Sequence, residues 1–238
     1  MKAVEVRELV KDYGSFRALK GISFQVNEGE IFGLIGPNGA GKTTALRTIA
    51  TLLQITSGSI AVFGYELPKE AAEVRKIISY LPEEAGAYKN LTGMEYLNFI
   101  AKFFGDGREL QNMVRRGADI ANLGDRINDK VDTYSKGMAR RLLVGRALMI
   151  EPRLAILDEP TSGLDVVNAQ EVRKIINGAV GAGVAVLLSS HNMLEVELLC
   201  HRIALIDDGR IIAGGTAEEL KKEYDARNIE EAFVKAIK

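Results

Sequence analysis

The sequence predicts an α/β fold with a mainly parallel core sheet, an antiparallel β portion at the N-terminus and an inserted helical subdomain. Three observations carry this. Short β-rich runs crowd the first third of the chain, β signals stop from residue 92 to residue 150, and apolar runs alternating with helical stretches resume at Leu154. With 238 residues, 47% hydrophobic and 26% charged, the composition is that of a globular protein and not of a disordered or collagenous one. At roughly 100 to 200 residues per domain, the length fits one large domain or one domain carrying a subdomain.

The β-rich runs are residues 3–9, 22–26, 31–35 and 59–63, each bounded by Gly, Asn or Asp, an antiparallel edge leading into a buried strand. Residues 31–35 are apolar apart from Gly33 and flow into a glycine-rich turn, after which residues 43–53 have helical character, the order of a βαβ unit. Helical segments follow at 92–104, 109–123 and 136–149. In the last of these, Met138, Leu142, Gly145 and Met149 fall on one stripe. Apolar runs at 154–157, 184–188 and 203–206, separated by helical stretches at 166–180 and 192–199, suit parallel strands covered on both faces. Asp208-Gly209 reads as a hairpin turn, and Thr216 with Glu219 as a capping box opening a C-terminal helix.

Charge is balanced, 31 Lys+Arg against 32 Asp+Glu for a net charge of -1, so no long-range field gathers nucleic acid and no nucleic-acid partner is expected. Arg140, Arg141 and Arg146 read as a solvated, ion-paired helix face. The single cysteine, Cys200, has no intrachain partner, which fits a reducing compartment. The start of the chain lacks an apolar signal core, and no stretch reaches the 18 or so apolar residues of a spanning helix, so a cytoplasmic location is expected.

Residues 36–44 read Gly36, Pro37, Asn38, Gly39, Ala40, Gly41, Lys42, Thr43 and Thr44, which satisfies G-x-x-x-x-G-K-[ST]. A polyphosphate must be approached by bare backbone N–H groups, and the following helix offers its positive dipole end. Lys42 is expected to reach the β- and γ-phosphates and the Thr43 hydroxyl to ligate Mg²⁺. The fold class is thus α/β of the P-loop NTPase kind, binding a nucleoside triphosphate. Residues 154–159, LAILDE, form an apolar strand ending in two carboxylates. Asp158 is expected to project toward the phosphate loop from a neighbouring strand and hold Mg²⁺, and Glu159, facing elsewhere, to polarise an attacking water.

These residues resemble the ATP-binding subunits of ABC transporters, over residues 4–215, in a fixed order of motifs. Tyr13 matches the aromatic that stacks on adenine. Residues 36–43 match the Walker A loop, Asp158 with Glu159 the Walker B pair, PTSGLD at 160–165 the loop joining two subunits, and His191 the switch histidine that contacts the γ-phosphate. YSKGM at 134–138 occupies the place of the LSGGQ signature, with Ser135 and Gly137 kept and Lys136 adding a positive charge. At 81–84, LPEE, the family's usual glutamine is replaced by Glu83, which can ligate Mg²⁺ but cannot donate a hydrogen bond when ionised.

The resemblance implies an ATP-hydrolysing subunit that powers integral membrane transporter subunits, export being favoured by YSKGM and the short C-terminal tail. Two copies are expected head to tail, each presenting Ser135 and Gly137 to the ATP on the other's phosphate loop, peripheral on the inner face of the membrane. Expected segments are an ATP-binding core at 1–83 and 151–215, a helical subdomain at 84–150 and a helical tail at 216–238. An ATPase acting on ribosomes or DNA is the alternative. It is disfavoured by a single phosphate loop and neutral charge, and a small GTPase is excluded because N-K-x-D and D-x-x-G motifs are absent.

Overall fold

A computed structural model describes residues 1–238. The N-terminal third forms β1 (Lys2–Tyr13), β2 (Phe16–Asn27), β3 (Ile31–Ile35), α1 (Lys42–Ile49), β4 (Ser57–Val62), β5 (Tyr65–Leu67), α2 (Ala71–Ile77) and β6 (Ile78–Leu81). Then come α3 (Gly93–Ala101), α4 (Gly107–Ala121) and α5 (Lys136–Leu148), followed by β7 (Leu154–Asp158), α6 (Val166–Gly181), β8 (Ala185–Ser190) and α7 (Met193–Leu199). The chain closes with β9 (Arg202–Asp207), β10 (Arg210–Gly215), α8 (Ala217–Glu223) and α9 (Ile229–Ala236).

Strands β2, β1, β4 and β5 make an antiparallel four-stranded sheet in that spatial order. The six-stranded core sheet runs β10-β9-β3-β8-β7-β6, parallel throughout except for β10. The hairpin that adds β10 turns at Asp208 (φ 43°) and Gly209 (φ 72°), the two positive φ values that a tight two-residue turn demands.

Consecutive apolar residues in the core strands feed two separate cores, because successive side chains point to opposite faces. Phe32, Leu34, Leu154, Ile156, Ala185 and Leu187 face the N-terminal sheet and α1. Ile31, Ile35, Ala155, Leu157, Val186 and Leu188 face the helices from α3 onward. The C-terminal helices join this second core through Leu220, Ile229 and Phe233. No helix is long and apolar enough to cross a membrane.

Three differences from the sequence reading have physical causes. Residues 65–81 carry no legible hydrophobic period, yet they hold β5, α2 and β6. These pieces are too short for a period to show, and β6 gains its strand identity only by pairing with β7. The expected solvated arginine face on α5 is corrected: Arg140 is buried, and Arg140, Arg141 and Arg146 donate to the main-chain carbonyls of Glu83, Asn122 and Tyr80 at 2.9, 2.9 and 3.3 Å. These carbonyls lie just past the ends of β6 and α4 or on the edge strand β6, where main-chain acceptors are open to a guanidinium group. Finally, Asp158 does not lie on a strand adjacent to the phosphate-loop strand, since β8 runs between β3 and β7.

Candidate functional site

The phosphate loop leaves the carboxyl end of β3 and enters α1 without a side-chain cap, so the first amide groups of α1 stay directed at the space above the loop. The loop is tied at three points, by Gly36 N–H to Ser190 O (3.3 Å), Ala40 N–H to Pro37 O (3.2 Å) and Gly209 N–H to Ala40 O (3.0 Å). Glycine is required twice. A Cβ on Gly36 would sit 2.0 Å from the Ile206 carbonyl oxygen, and Gly41 caps α1 at φ 104° with Leu19 2.8 Å from its Cβ position. Lys42 is buried and folds back on the loop, its Nζ donating to Gly36 O at 2.7 Å and Pro37 O at 3.1 Å.

Carboxylates at the end of β7 meet this lysine and the loop. The Lys42 Nζ lies 3.5 Å from Glu159 Oε1, and the Thr43 hydroxyl donates to Asp158 Oδ1 at 3.2 Å. Glu159 adopts φ 49°, an unfavourable region for a residue with a Cβ that is typically tolerated where surrounding contacts enforce it. Its N–H donates to Ser189 Oγ at 3.0 Å, and Ser189 in turn donates to Asp158 Oδ1 at 2.5 Å. On the other side, Glu159 Oε2 faces His191 Nδ1 at 2.9 Å and accepts the His191 N–H at 3.3 Å. Glu159 Oε1 is buried and accepts no hydrogen bond. The chain's other histidine, His201, accepts from Ile31 N–H at 2.8 Å and serves the fold.

The residues read from the sequence distribute over two clefts that share Glu159. Tyr13, Asn38, Gly39, Gly41, Lys42, Thr43, Thr44 and Glu83 line the first; His191 lines the second with Thr161, Gly163 and Glu195. Gly36 and Ala40 are buried and shape the loop from behind, Pro37 is exposed on the loop but lines neither cleft, and Asp158 lies buried beneath it. Tyr13 is 46% exposed at the tip of the β1–β2 hairpin, with the Lys11 ammonium 5.1 Å from its ring centroid. Glu83 is exposed at the rim, just past the end of β6, and its carbonyl is held by Arg140.

Ser135 and Gly137 line neither cleft. Ser135 caps α5 by accepting the Met138 N–H at 3.2 Å and stays exposed. Gly137 is buried against α6, where a Cβ would fall 2.1 Å from Asn168. The Lys136 ammonium lies over Gly163 of the 160–165 loop in the same chain.

Four contributors escaped the sequence reading. Phe16 stands across the hairpin from Tyr13 and lines the same cleft. Ser189 bridges Asp158 and Glu159, and the paired hydroxyls of LLSS at the end of β8 were a usable signal for it. Tyr80 reaches Asp158 Oδ2 at 3.3 Å, and burial raises its hydroxyl pKa while the neighbouring Arg47 opposes that shift. Arg140 carries a buried Nη1 without a partner; burial lowers its guanidinium pKa, against the charges of Glu83, Asp158 and Glu159. Nothing in the spacing of Tyr80 or Arg140 marks either one.

The Thr43 hydroxyl beside the Asp158 carboxylate suits Mg²⁺, a cation commonly held by one or two protein oxygens with phosphate and water completing its shell. No cluster of three or more His, Cys, Asp or Glu offers an all-protein metal cage.

Comparison with known proteins gives a consistent assignment. The family model described as ABC transporter matches residues 19–162, more than half of the chain. The linearmycin resistance ATP-binding protein LnrL of Bacillus subtilis is 38% identical over 99% of this chain and 78% of its own length. The daunorubicin/doxorubicin resistance ATP-binding protein DrrA of Streptomyces peucetius is 40% identical over 92% and 67%. Among solved structures, an ATP-binding subunit of an ABC transporter superposes with a TM-score of 0.86 at 30% identity, covering 99% of this chain and 100% of that one. A dimeric post-hydrolysis state of the cassette MJ0796 bound to ADP and Pi shares the fold, with a TM-score of 0.79 at 23% identity and coverage of 90% and 98%. The ribosome- or DNA-acting alternative gains no support from these relatives.

Proposed function

Because this chain belongs to the ABC transporter family, as an ATP-binding and ATP-hydrolysing subunit, we propose that its two clefts form one hydrolytic centre completed by a second copy of itself. The observation that carries the reading is Glu159 Oε1, a buried carboxylate oxygen free of hydrogen bonds and 3.5 Å from Lys42 Nζ. A buried acceptor left open is costly unless a bound molecule uses it.

Phosphate oxygens exchange for the carbonyls that Lys42 now holds, drawing its ammonium onto the β- and γ-phosphates, while the amides of residues 38–44 surround the chain of phosphates. Thr43 and Asp158 would hold Mg²⁺, with Glu83 a further oxygen donor at the rim, and the ion would supply charge neutralisation at the phosphates. Tyr13, with Phe16 beside it, stacks on the adenine, displacing Lys11 from the ring face. Glu159 Oε1 accepts the proton of the attacking water. His191, oriented by Glu159 Oε2, directs its other ring nitrogen at the γ-phosphate.

Ser135 and Gly137 serve in trans. The exposed Ser135 hydroxyl at the start of α5 meets the γ-phosphate on the partner copy's loop, where the helix dipole favours it. Closure of the pair on two ATP molecules would move integral membrane subunits, with the chain held peripherally at the cytoplasmic face. Residues 1–83 and 151–215 then act as the ATP-binding core, 84–150 as a helical subdomain and 216–238 as a tail. Relatives named for resistance to linearmycin and daunorubicin favour export of drug-like molecules.

Purified chain should hydrolyse ATP in the presence of Mg²⁺, and Glu159→Gln should remain ATP-bound as a dimer. Transport is tested by co-expression with an integral membrane subunit that co-purifies with the chain: ATP-driven drug accumulation in inverted vesicles supports export, and its absence with active ATPase removes export.

A further inference from the structure

Four helices of this chain begin with a Thr or Asn cap followed three residues later by Glu, and two of them close no capping box: at α9 Glu231 takes the neighbouring Arg227 N–H at 3.0 Å, and at α7 the glutamate leaves the helix end altogether. At Thr92/Glu95 and Thr216/Glu219 the glutamate turns back to the N–H of the cap residue, at 2.8 Å in both cases, closing a capping box. At α7 the spacing is the same, and Asn192 Oδ1 accepts the Glu195 N–H at 3.2 Å. Here, however, the Asn192 N–H is taken by Ser190 Oγ at 3.0 Å, and the Glu195 side chain is released from capping.

The released carboxylate is 7% exposed. Its Oε2 accepts from Thr161 Oγ1 at 2.6 Å, and its Oε1 accepts from Arg173 Nη1 of α6 at 2.8 Å. Burying a carboxylate costs free energy that only such close partners offset, and helix capping did not require it. The links close a ring. Glu159 is two residues before Thr161, Thr161 holds Glu195, Glu195 lies in the first turn after His191, and His191 returns to Glu159.

We propose that Glu195 is a positioning residue for hydrolysis: by clamping the first turn of α7 to Thr161 and Arg173, it holds His191 in the orientation in which it meets the γ-phosphate. Without the clamp, the His191 turn keeps its contacts to Glu159 and the Asn192–Ser190 hydrogen bond but loses its tie to Thr161 and Arg173, and the imidazole samples orientations that miss the phosphate. The same link ties His191 to the 160–165 loop, so a displacement of that loop by a second copy reaches His191 through two hydrogen bonds. This rests on the reading of His191 as a γ-phosphate contact.

Steady-state ATPase kinetics on the full chain test it. Glu195→Ala is expected to lower kcat about tenfold while the KM for ATP stays within about threefold, since binding rests on the phosphate loop. Thr161→Val, close in shape and leaving the Arg173 pair intact, should lower kcat by about threefold. Both losses should shrink below about twofold in a His191→Ala background, because the clamp then has nothing to position. Equal losses in both backgrounds, a loss carried by KM, or no loss overturns the proposal alone. If His191→Ala by itself keeps full turnover, the reading of His191 falls and the proposal with it. Should Glu195→Ala fail to fold, Thr161→Val decides through the same cycle.

Discussion

The Thr43 hydroxyl donates to the Asp158 carboxylate across 3.2 Å although 115 residues separate them, with Ser189 of the intervening strand donating to the same oxygen. An acid two strands away from the loop is thereby held against it. The first prediction concerns this pair. Asp158→Asn keeps the shape but removes the charge that holds Mg²⁺, so the Mg²⁺ concentration for half-maximal ATPase activity should rise about tenfold or more. An Mg²⁺ titration at saturating ATP measures it, and an unchanged midpoint would remove Asp158 from the metal site.

Lys42→Ala should lower ATP affinity by about 100-fold, roughly 2.7 kcal/mol, because the charge that meets the β- and γ-phosphates is lost. Equilibrium binding of a fluorescent ATP analogue reads this directly. Wild-type affinity would refute the phosphate-loop assignment.

Glu159→Gln retains the shape of the side chain while removing the base and a negative charge near the γ-phosphate, so hydrolysis should fall at least 100-fold with ATP still bound. Light scattering with ATP should give twice the monomer mass. A variant that stays monomeric yet hydrolyses ATP would sink the paired arrangement.

Glu83 stands at the rim of the cleft with its carbonyl fixed by Arg140, which leaves the carboxylate free to reach a metal. Glu83→Gln, keeping an oxygen, should stay within about tenfold of wild-type turnover, roughly 1.4 kcal/mol, whereas Glu83→Ala should raise the Mg²⁺ requirement. Identical Mg²⁺ curves for the three proteins would leave Thr43 and Asp158 as the protein's only contributors.

Packing beneath the site is equally open to test. A Cβ on Gly33 would lie 2.8 Å from Cys200 Sγ, so Gly33→Ala should destabilise the chain by about 1–3 kcal/mol in urea unfolding, and Cys200→Ala should restore part of the loss. Burial also raises the pKa of the Cys200 thiol well above its ordinary value. Native protein should therefore react with iodoacetamide far more slowly than unfolded protein at pH 8. Equal rates would show that the thiol is accessible.

What the sequence by itself determined is local. The phosphate loop is nine consecutive residues flanked by a strand and a helix, and the parallel sheet is visible in apolar runs such as IFGLI and LAILD, because these are properties of neighbours along the chain. The hairpin at Asp208-Gly209 and the box at Thr216 and Glu219 were legible for the same reason. Tertiary structure decided what depends on residues distant in sequence. That β8 separates the strand feeding the phosphate loop from Asp158's, that Ser189 bridges the gap, and that Arg140 turns inward to the Glu83 carbonyl follow from which strands and helices lie side by side. No period or motif records those neighbours. An arginine on a helix has the same local pattern whether it meets water or an unsatisfied carbonyl, and only the packed chain brings the carbonyl within 2.9 Å.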